Sequence, residues 1–322
     1  MPLDFLEFDE ERSKRHMYWG LGKLMMKAGR LVERHPQLFG TYITNFSCGP
    51  DSFVVGYFRE IMGRKPSLTL ELDSHTADAG LETRVEAFLD IVQAYRQLVA
   101  QKKIIQPNKF FRPAQIASQN GNVKVLTSSG EALPIKDPRV TVLLPSMGKL
   151  TSEAFAAVLK GSGFHAKAHR PSDEAVLKLG RANTSCKECL PLILTTGTLL
   201  NYINNGKRDG EVVVYFFATG SGPCRFGQYY IFMEDLIKRL EIPDVALFTL
   251  SSEDGYVGME KDFDTRAWWA VVAADVMEDI RSMILVNAVD TEKAVETFET
   301  EWQAILAALE KGGFSVLEEQ LM

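Results

Sequence analysis

The chain has 322 residues, 46% hydrophobic and 24% charged, ordinary for a globular protein with a sizeable core. Its 42 acidic and 36 basic side chains give a formal net charge of −6, and Lys and Arg are scattered without interleaved aromatics, which speaks against a nucleic-acid partner. No apolar run of about eighteen residues occurs, and the acidic start MPLDFLEFDEERSKRH has no apolar signal stretch. The expectation is therefore no membrane partner and a cytoplasmic location.

Taken in chain order, RHMYWGLGKLMMKAGRLVERH has apolar residues at three- and four-residue spacing and predicts a helix. FGTYITNF, β-branched and aromatic, predicts a buried strand. The turn SCGPD follows, then a helix over SFVVGYFREIMG that stops at Gly63. PSLTLEL predicts a second strand, DSHTADAG a polar turn, and LETRVEAFLDIVQAYRQLVAQ a long amphipathic helix. Residues 103–138 break the alternation, and NGNVKVLTSSGEALPIKDP predicts one hairpin of short strands.

Alternation resumes with VTVLLPSMG (strand), TSEAFAAVLKGSG (helix), FHAKAHR (short strand) and SDEAVLKLGRA (helix). CLPLILTTGTLLNYINNG reads as a helix entered at a cysteine pair, and EVVVYFFATGSG as the clearest buried strand. PCRFGQYYIFMEDLIKRLE is the following helix and DVALFTLSSEDG the last strand. Two long helices close the chain, one over TRAWWAVVAADVMEDIRSMILV and one over EKAVETFETEWQAILAALEKGG.

This order predicts an α/β fold with two Rossmann-like lobes of mostly parallel sheet, helices on both faces, and C-terminal helices. The expected divisions are an N-terminal helical and α/β lobe over 1–104 and a connector or small β insertion over 105–138. A Rossmann-like lobe over 139–258 and C-terminal helices over 259–322 complete the chain. For Trp268, Trp269 and Trp302 in the tail, core packing and a subunit interface are the two readings.

Four cysteines in a chain this long are not a disulfide framework. Cys48 and Cys224 each follow a predicted buried strand and precede a helix; Cys186 and Cys189 lie in a polar turn at a helix start. Unpaired N–H groups and the partial positive charge of a helix N-terminus favour a thiolate there. Ligands of open α/β sheets bind beyond the carboxyl ends of the strands, which makes the three segments candidates for one rim. Gly49, Gly220 and Gly222 allow the close backbone approach that an anion-binding cup needs.

Read singly, each cysteine is a small buried hydrophobe. Read together, four thiols in polar, glycine-bearing turns point to a shared site, and one close pair with two distant singles suits an iron–sulfur cluster. A structural zinc, which normally shows two close pairs, and a redox dithiol at Cys186–Cys189 are the alternatives.

GSGPCRFG is not a phosphate loop. Arg225 stands where a dinucleotide fingerprint has glycine, Gln228-Tyr229 where a P-loop has Lys and Ser or Thr, and Pro223 removes an N–H. Arg225 beside a ligand is placed to offset cluster charge, or else is a solvated or ion-paired arginine. Among the histidines, His75 lies past a strand end, with an approach to the rim as its minority reading. His16 and His35 are expected to face solvent, and His165 and His169 flank a short strand without a ligand partner. No G-x-S-x-G elbow and no H-E-x-x-H motif occurs.

NFSCGPDSF, ECLPLILTTG and GPCRFGQY, in this order, with LELDSHTADAGLETRVEAFL after the first, resemble the cysteine motifs of the 2-hydroxyacyl-CoA dehydratase superfamily. The resemblance runs over roughly residues 40–260 and is strongest toward the acyl-CoA dehydratase activase-related proteins. It implies Rossmann-like lobes and a 4Fe–4S cluster, or in one branch a double-cubane cluster, held by three cysteines per cubane. It also implies an ATP-hydrolysing activase of the sugar kinase/Hsp70/actin fold that injects one low-potential electron for a difficult reduction or dehydration. Carried over by position, the ligands are Cys48, Cys189 and Cys224. Cys186 departs from the pattern, as a fourth ligand or a bystander. The dehydratase subunits are larger, and no CoA-binding feature is visible here, so dehydratase activity itself is not carried over.

The expectation is thus an iron–sulfur redox protein that accepts electrons from an activase. The other class of reading is a non-catalytic scaffold or subunit, paired with a homologous partner or a second copy, whose cluster or zinc serves structure.

Overall fold

The computed structural model describes residues 2–14, 16–74, 76–101, 111–119, 122–218, 220, 222, 224–250 and 262–312. Its fold is mixed α/β. The first part runs α1 (Gly20–Arg34), β1 (Gly40–Thr44), α2 (Asp51–Met62), β2 (Ser67–Glu71) and α3 (Asp78–Ala100). Three short strands follow: β3 (Gln115–Gln119), β4 (Asn122–Leu126) and β5 (Ala132–Pro134). Next come β6 (Val140–Leu144), α4 (Lys149–Gly161), β7 (Ala166–Ala168), α5 (Glu174–Asn183), α6 (Leu190–Asn205) and β8 (Val212–Ala218). The last elements are α7 (Tyr229–Arg239), β9 (Val245–Leu250), α8 (Phe263–Asn287) and α9 (Thr291–Lys311).

The chain divides into two compact units. The first comprises Met1–Phe110, Thr184–Leu192 and Gly220–Phe232; the second comprises Phe111–Asn183, Ile193–Thr219 and Met233–Met322. The sequence reading drew residues 184–192 and 220–232 with residues 139–258. They gather instead with the N-terminal residues, through polar contacts that local patterning does not encode.

In the first unit β1 and β2 pair in parallel, Gly40 opposite Ser67 through Thr44 opposite Glu71. Tyr42 and Thr44 alternate inward along β1 and pack with the apolar face of α2, where Val54, Val55, Phe58 and Met62 are buried. That alternation is the period-two signature of a strand with one face on a core. Gly40 is required by closeness, since a Cβ there would lie 2.7 Å from the Phe58 ring. α2 stops at Gly63, which takes φ 54. Lys65 is buried, and its ammonium donates to the carbonyls of Val32 (2.5 Å), Glu33 (3.1 Å) and His35 (2.5 Å) at the end of α1. A cation there satisfies carbonyls that the helix leaves unpaired and complements its negative end. Burial lowers the Lys65 pKa, and the charge of Glu33 works against that.

In the second unit β6, β7, β8 and β9 form one parallel sheet in the order β7-β6-β8-β9. All five residues of β6 are buried, the pattern of a strand covered on both faces. On one face Val140, Val142, Leu144, Val214, Phe216 and Phe248 pack with α4, α8 and α9 around Trp302, which is fully buried. The opposite face carries Tyr215, whose phenol donates to the Thr195 carbonyl of α6 at 2.7 Å. The chain passes from β6 to β7 on one side and then returns to β8 on the other, so strand order reverses between β6 and β8. The expected hairpin is present as β4 with β5, and β3, which was not expected, adds to it as a third strand, giving the antiparallel sheet β3-β4-β5.

Two buried polar groups tie this unit. Glu211, just before β8, accepts from the Thr141 hydroxyl (2.5 Å), the Tyr202 phenol (3.0 Å) and the Arg208 amide (2.8 Å). Burial alone would raise its pKa; those donors outweigh it and hold the carboxyl below its ordinary range, while burial and the same carboxylate push Tyr202 up to about 12.

His169 is buried between the Arg170 carbonyl, 2.7 Å from Nδ1, and the Asn201 amide, 3.2 Å from Nε2. Burial lowers its pKa, the nearby charges of Arg170 and Lys167 act in the same sense, and the bond to the Arg170 carbonyl and the charge of Asp173 oppose them. The folded state then binds fewer protons than the unfolded one. Its contribution is complete above the ordinary value of 6.5 and is lost as pH falls below it. The melting temperature should fall on acidification from about pH 7 to about pH 5, and fall less in His169→Gln; superimposable profiles of the two proteins would contradict this.

Candidate functional site

The four cysteines are all in the first unit. None is in a disulfide among the described residues; Cys48, Cys186 and Cys224 are exposed and Cys189 is half-buried. Cysteine is ordinarily among the most buried residue types, so the reading of four small core hydrophobes fails here.

Cys48 sits in the turn between β1 and α2. Both ends of the turn are clamped by Asp51, the first residue of α2, whose carboxylate accepts from the Tyr42 hydroxyl (2.9 Å) and the Thr44 hydroxyl (2.5 Å) of β1. Burial and then the Asp51 carboxylate raise the Tyr42 pKa strongly. Within the turn Phe46 (φ 58), Ser47 (φ 50) and Gly49 (φ 58) all take left-handed backbone. Two of these are not glycine, a conformation costing on the order of 1 kcal/mol per residue.

The second segment, Thr184–Cys189, joins α5 to α6. The Cys189 carbonyl accepts from the Leu192 amide at 3.0 Å and so opens α6. The segment is braced internally by the Glu188 carboxylate on the Ser185 amide (3.2 Å) and the Ser185 hydroxyl on the Lys187 amide (3.3 Å). Cys186 takes φ 61 and lies 4.0 Å from the Thr184 hydroxyl.

The third segment carries Cys224 and Arg225 into a single 3-10 turn, Arg225–Gln228, that leads into α7. The Tyr18 hydroxyl donates to the Cys224 carbonyl at 2.8 Å, and the Tyr57 hydroxyl to the Gln228 carbonyl at 3.1 Å. Gly227 is required by space: a Cβ there would lie 2.1 Å from the Gly220 carbonyl oxygen and 2.5 Å from the Tyr18 ring.

Side chains join the three segments. Lys187 donates to the Phe46 carbonyl at 3.2 Å and to the Glu71 carboxylate, which also accepts from Ser47 at 2.7 Å. The Lys187 bond, then the Ser47 bond, lowers the Glu71 pKa. Arg225 Nη1 donates to the Ser52 hydroxyl at 3.1 Å, which donates to the Gly49 carbonyl at 2.7 Å. The Tyr229 hydroxyl lies 2.7 Å from Cys189 Sγ, and its ring stacks on Phe53 at 6.3 Å. Burial, then the bond to Cys189, then the charges of Cys189 and Cys224 push the Tyr229 phenol far above its ordinary value, against the opposing charge of Arg225. At neutral pH Tyr229 therefore keeps its proton, and in its bond with Cys189 either atom can be the donor.

Turns at residues 48, 186–189 and 224 thus share one unit and one hydrogen-bonded framework. The thiols themselves are not drawn in: among the described residues no three His, Cys, Asp or Glu side chains stand close enough to hold a metal ion. Two buried polar groups in these segments, the Gln228 side-chain amide and Glu188 Oε2, find no partner among the described residues. Such orphans mark places where a further group is wanted. His75 lies outside the described residues, and His16, expected to face solvent, packs edge-on against Tyr230 at 4.3 Å.

The framework residues Tyr229, Ser52, Lys187, Tyr18 and Glu71 went unrecognised in the sequence. Ser52, Lys187 and Tyr229 were within reach, because they stand inside NFSCGPDSF, SCKEC and GPCRFGQY. Comparison with family models, curated proteins and solved structures gives no match to this chain.

Proposed function

We propose that this chain is an iron–sulfur redox protein in which Cys48, Cys189 and Cys224 hold a 4Fe–4S cluster within an arrangement of Rossmann-like lobes in the cytoplasm. Its electron donor is an ATP-hydrolysing activase, and its role is to pass a low-potential electron to a difficult reduction or dehydration. One observation carries this reading: three turns remote in sequence are hydrogen-bonded to one another in one unit, and none of their four thiols is buried.

The donor set fits the group in kind. Thiolates are the ligands such clusters take, and each turn adjoins a helical start whose N–H groups favour anions. Binding requires the exposed thiols to turn inward from the positions they occupy. A cluster, once bound, supplies the ability to store one electron at low potential. The chain's own residues set its surroundings. With Cys189 bound as a thiolate, the Tyr229 phenol would donate to it, and hydrogen bonds to ligand sulfur tune such centres. Arg225 and Lys187, beside Cys224 and Cys189, offset negative charge. Cys186, between Ser185 and Lys187, is the residue able to close the site as a fourth ligand.

Anaerobic purification followed by metal and sulfide analysis tests the proposal. The expected result is brown protein with about four irons and four sulfides per chain. Its visible absorption should bleach when a cognate activase and ATP are added. Colourless protein with stoichiometric zinc would overturn it; a bound cluster indifferent to activase and ATP would reduce it to a structural centre.

A further inference from the structure

Helix α8 has two apolar faces. The inner one, Phe263, Ala270, Ala273, Ala274 and Met277, is buried in the core with α4 and α9. The outer one is Trp268, Trp269, Val276, Ile280, Met283 and Val286, with exposures of 69, 47, 46, 39, 64 and 83%. The tail tryptophans are therefore split: Trp302 is core and the pair on α8 is surface. At 100° per residue the six outer side chains fall within one third of the helix circumference, a stripe about 27 Å long.

The stripe exposes on the order of 700 Å² of apolar surface, more than the roughly 300–600 Å² patch of a typical monomer. It also approaches the roughly 800 Å² per partner of a standard interface. A stripe on one straight helix is complementary to itself when two copies lie antiparallel about a twofold axis, with Val276 near the axis and the tryptophans of each copy against Met283 of the other.

We propose that the outer face of α8 is a homodimer interface and that its occupant is α8 of a second copy of this chain. Asp275 borders the stripe on one edge and Asp279 falls inside it, between Trp268 and Met283 in helical angle, and in an antiparallel pair these carboxylates meet their own counterparts. Association should therefore tighten as salt screens the carboxylates, whereas a basic partner helix would bind less tightly in salt.

Sedimentation velocity of the full chain over a micromolar concentration series, at about 0.05 and 0.5 M salt, tests this. The expected result is a reversible species of twice the chain mass, populated more at high salt. Trp268→Glu and Met283→Glu should each weaken association at least about tenfold. Both side chains are exposed, so the melting temperature should hold, and Thr297→Glu on α9 serves as a surface control. A wild-type chain that stays monomeric throughout would overturn the proposal. So would a dimer that Trp268→Glu and Met283→Glu leave intact, or a monomer in which only removal of residues 313–322 exposes the stripe to self-association.

Discussion

Replacement of Cys48, Cys189 or Cys224 by alanine should each abolish nearly all bound iron, while Cys186→Ala retains most of it. Each of the three named cysteines stands on a different turn, so removing any one leaves a cubane with two protein thiolates from separate strands of chain. Cys186 shares its turn with Cys189, only three residues away, and its loss leaves one donor on every segment. The experiment is clean because these side chains do little for the fold. Cys48, Cys186 and Cys224 are exposed and Cys189 only half-buried, so truncation to alanine opens no core cavity. Melting temperatures within a few degrees of wild type are expected alongside the loss of iron. If all four variants keep full metal content, the thiols are not its ligands and the proposed centre is lost. If Cys186→Ala loses as much iron as the others, the site has four protein ligands and is closed, which favours electron transfer over substrate binding at iron.

The second large effect lies where two helices touch through glycine. Gly180 of α5 and Gly197 of α6 are placed so that a Cβ would lie 1.9 Å from the carbonyl oxygens of Ile193 and Val176, respectively. Both obstacles are backbone, which cannot swing aside as a side-chain tip can. Gly180→Ala or Gly197→Ala should destabilise the protein by about 3 kcal/mol, the upper part of the range for overpacked sites. Gly56→Ala in α2, where a Cβ meets nothing within 4 Å, should instead stabilise by roughly 0.5–1 kcal/mol. Chemical denaturation of the three variants checks the contrast; changes at 180 and 197 below about 1 kcal/mol would show that α5 and α6 separate easily. The pair matters for the site because the connection between these helices bears Cys186 and Cys189.

These two predictions draw on features of unequal visibility. The elements were largely legible: FGTYITNF contains β1, SFVVGYFREIMG marks α2 with its stop at Gly63, and EVVVYFFATGSG contains β8. Periodicity and glycine stops act within a few residues, so they can be read one stretch at a time. The small β region was read less well. The hairpin read in NGNVKVLTSSGEALPIKDP is β4 with β5, but QIASQ, short and largely polar, carries too little pattern to announce itself as β3, which pairs with β4 from Gln115 opposite Leu126 to Gln119 opposite Asn122. The glycines at 180 and 197 were invisible for another reason: nothing near them in the chain reports that a carbonyl from another helix will arrive.

By itself the amino-acid order determined most of the helices and strands though not all their bounds, that the cysteines fall in turns next to helix starts, and that no membrane-spanning helix is present among the described residues. The tertiary structure alone decided the strand order β7-β6-β8-β9, the grouping of residues 184–192 and 220–232 with the N-terminal unit, and which tryptophans face solvent. The physical reason is range. Backbone conformation follows from neighbours a turn or a pleat away, whereas the bonds of Lys187 to Phe46, Arg225 to Ser52 and Tyr229 to Cys189 join residues 141, 173 and 40 positions apart. Polar side chains of that kind have many chemically equivalent partners, and only the folded chain selects one.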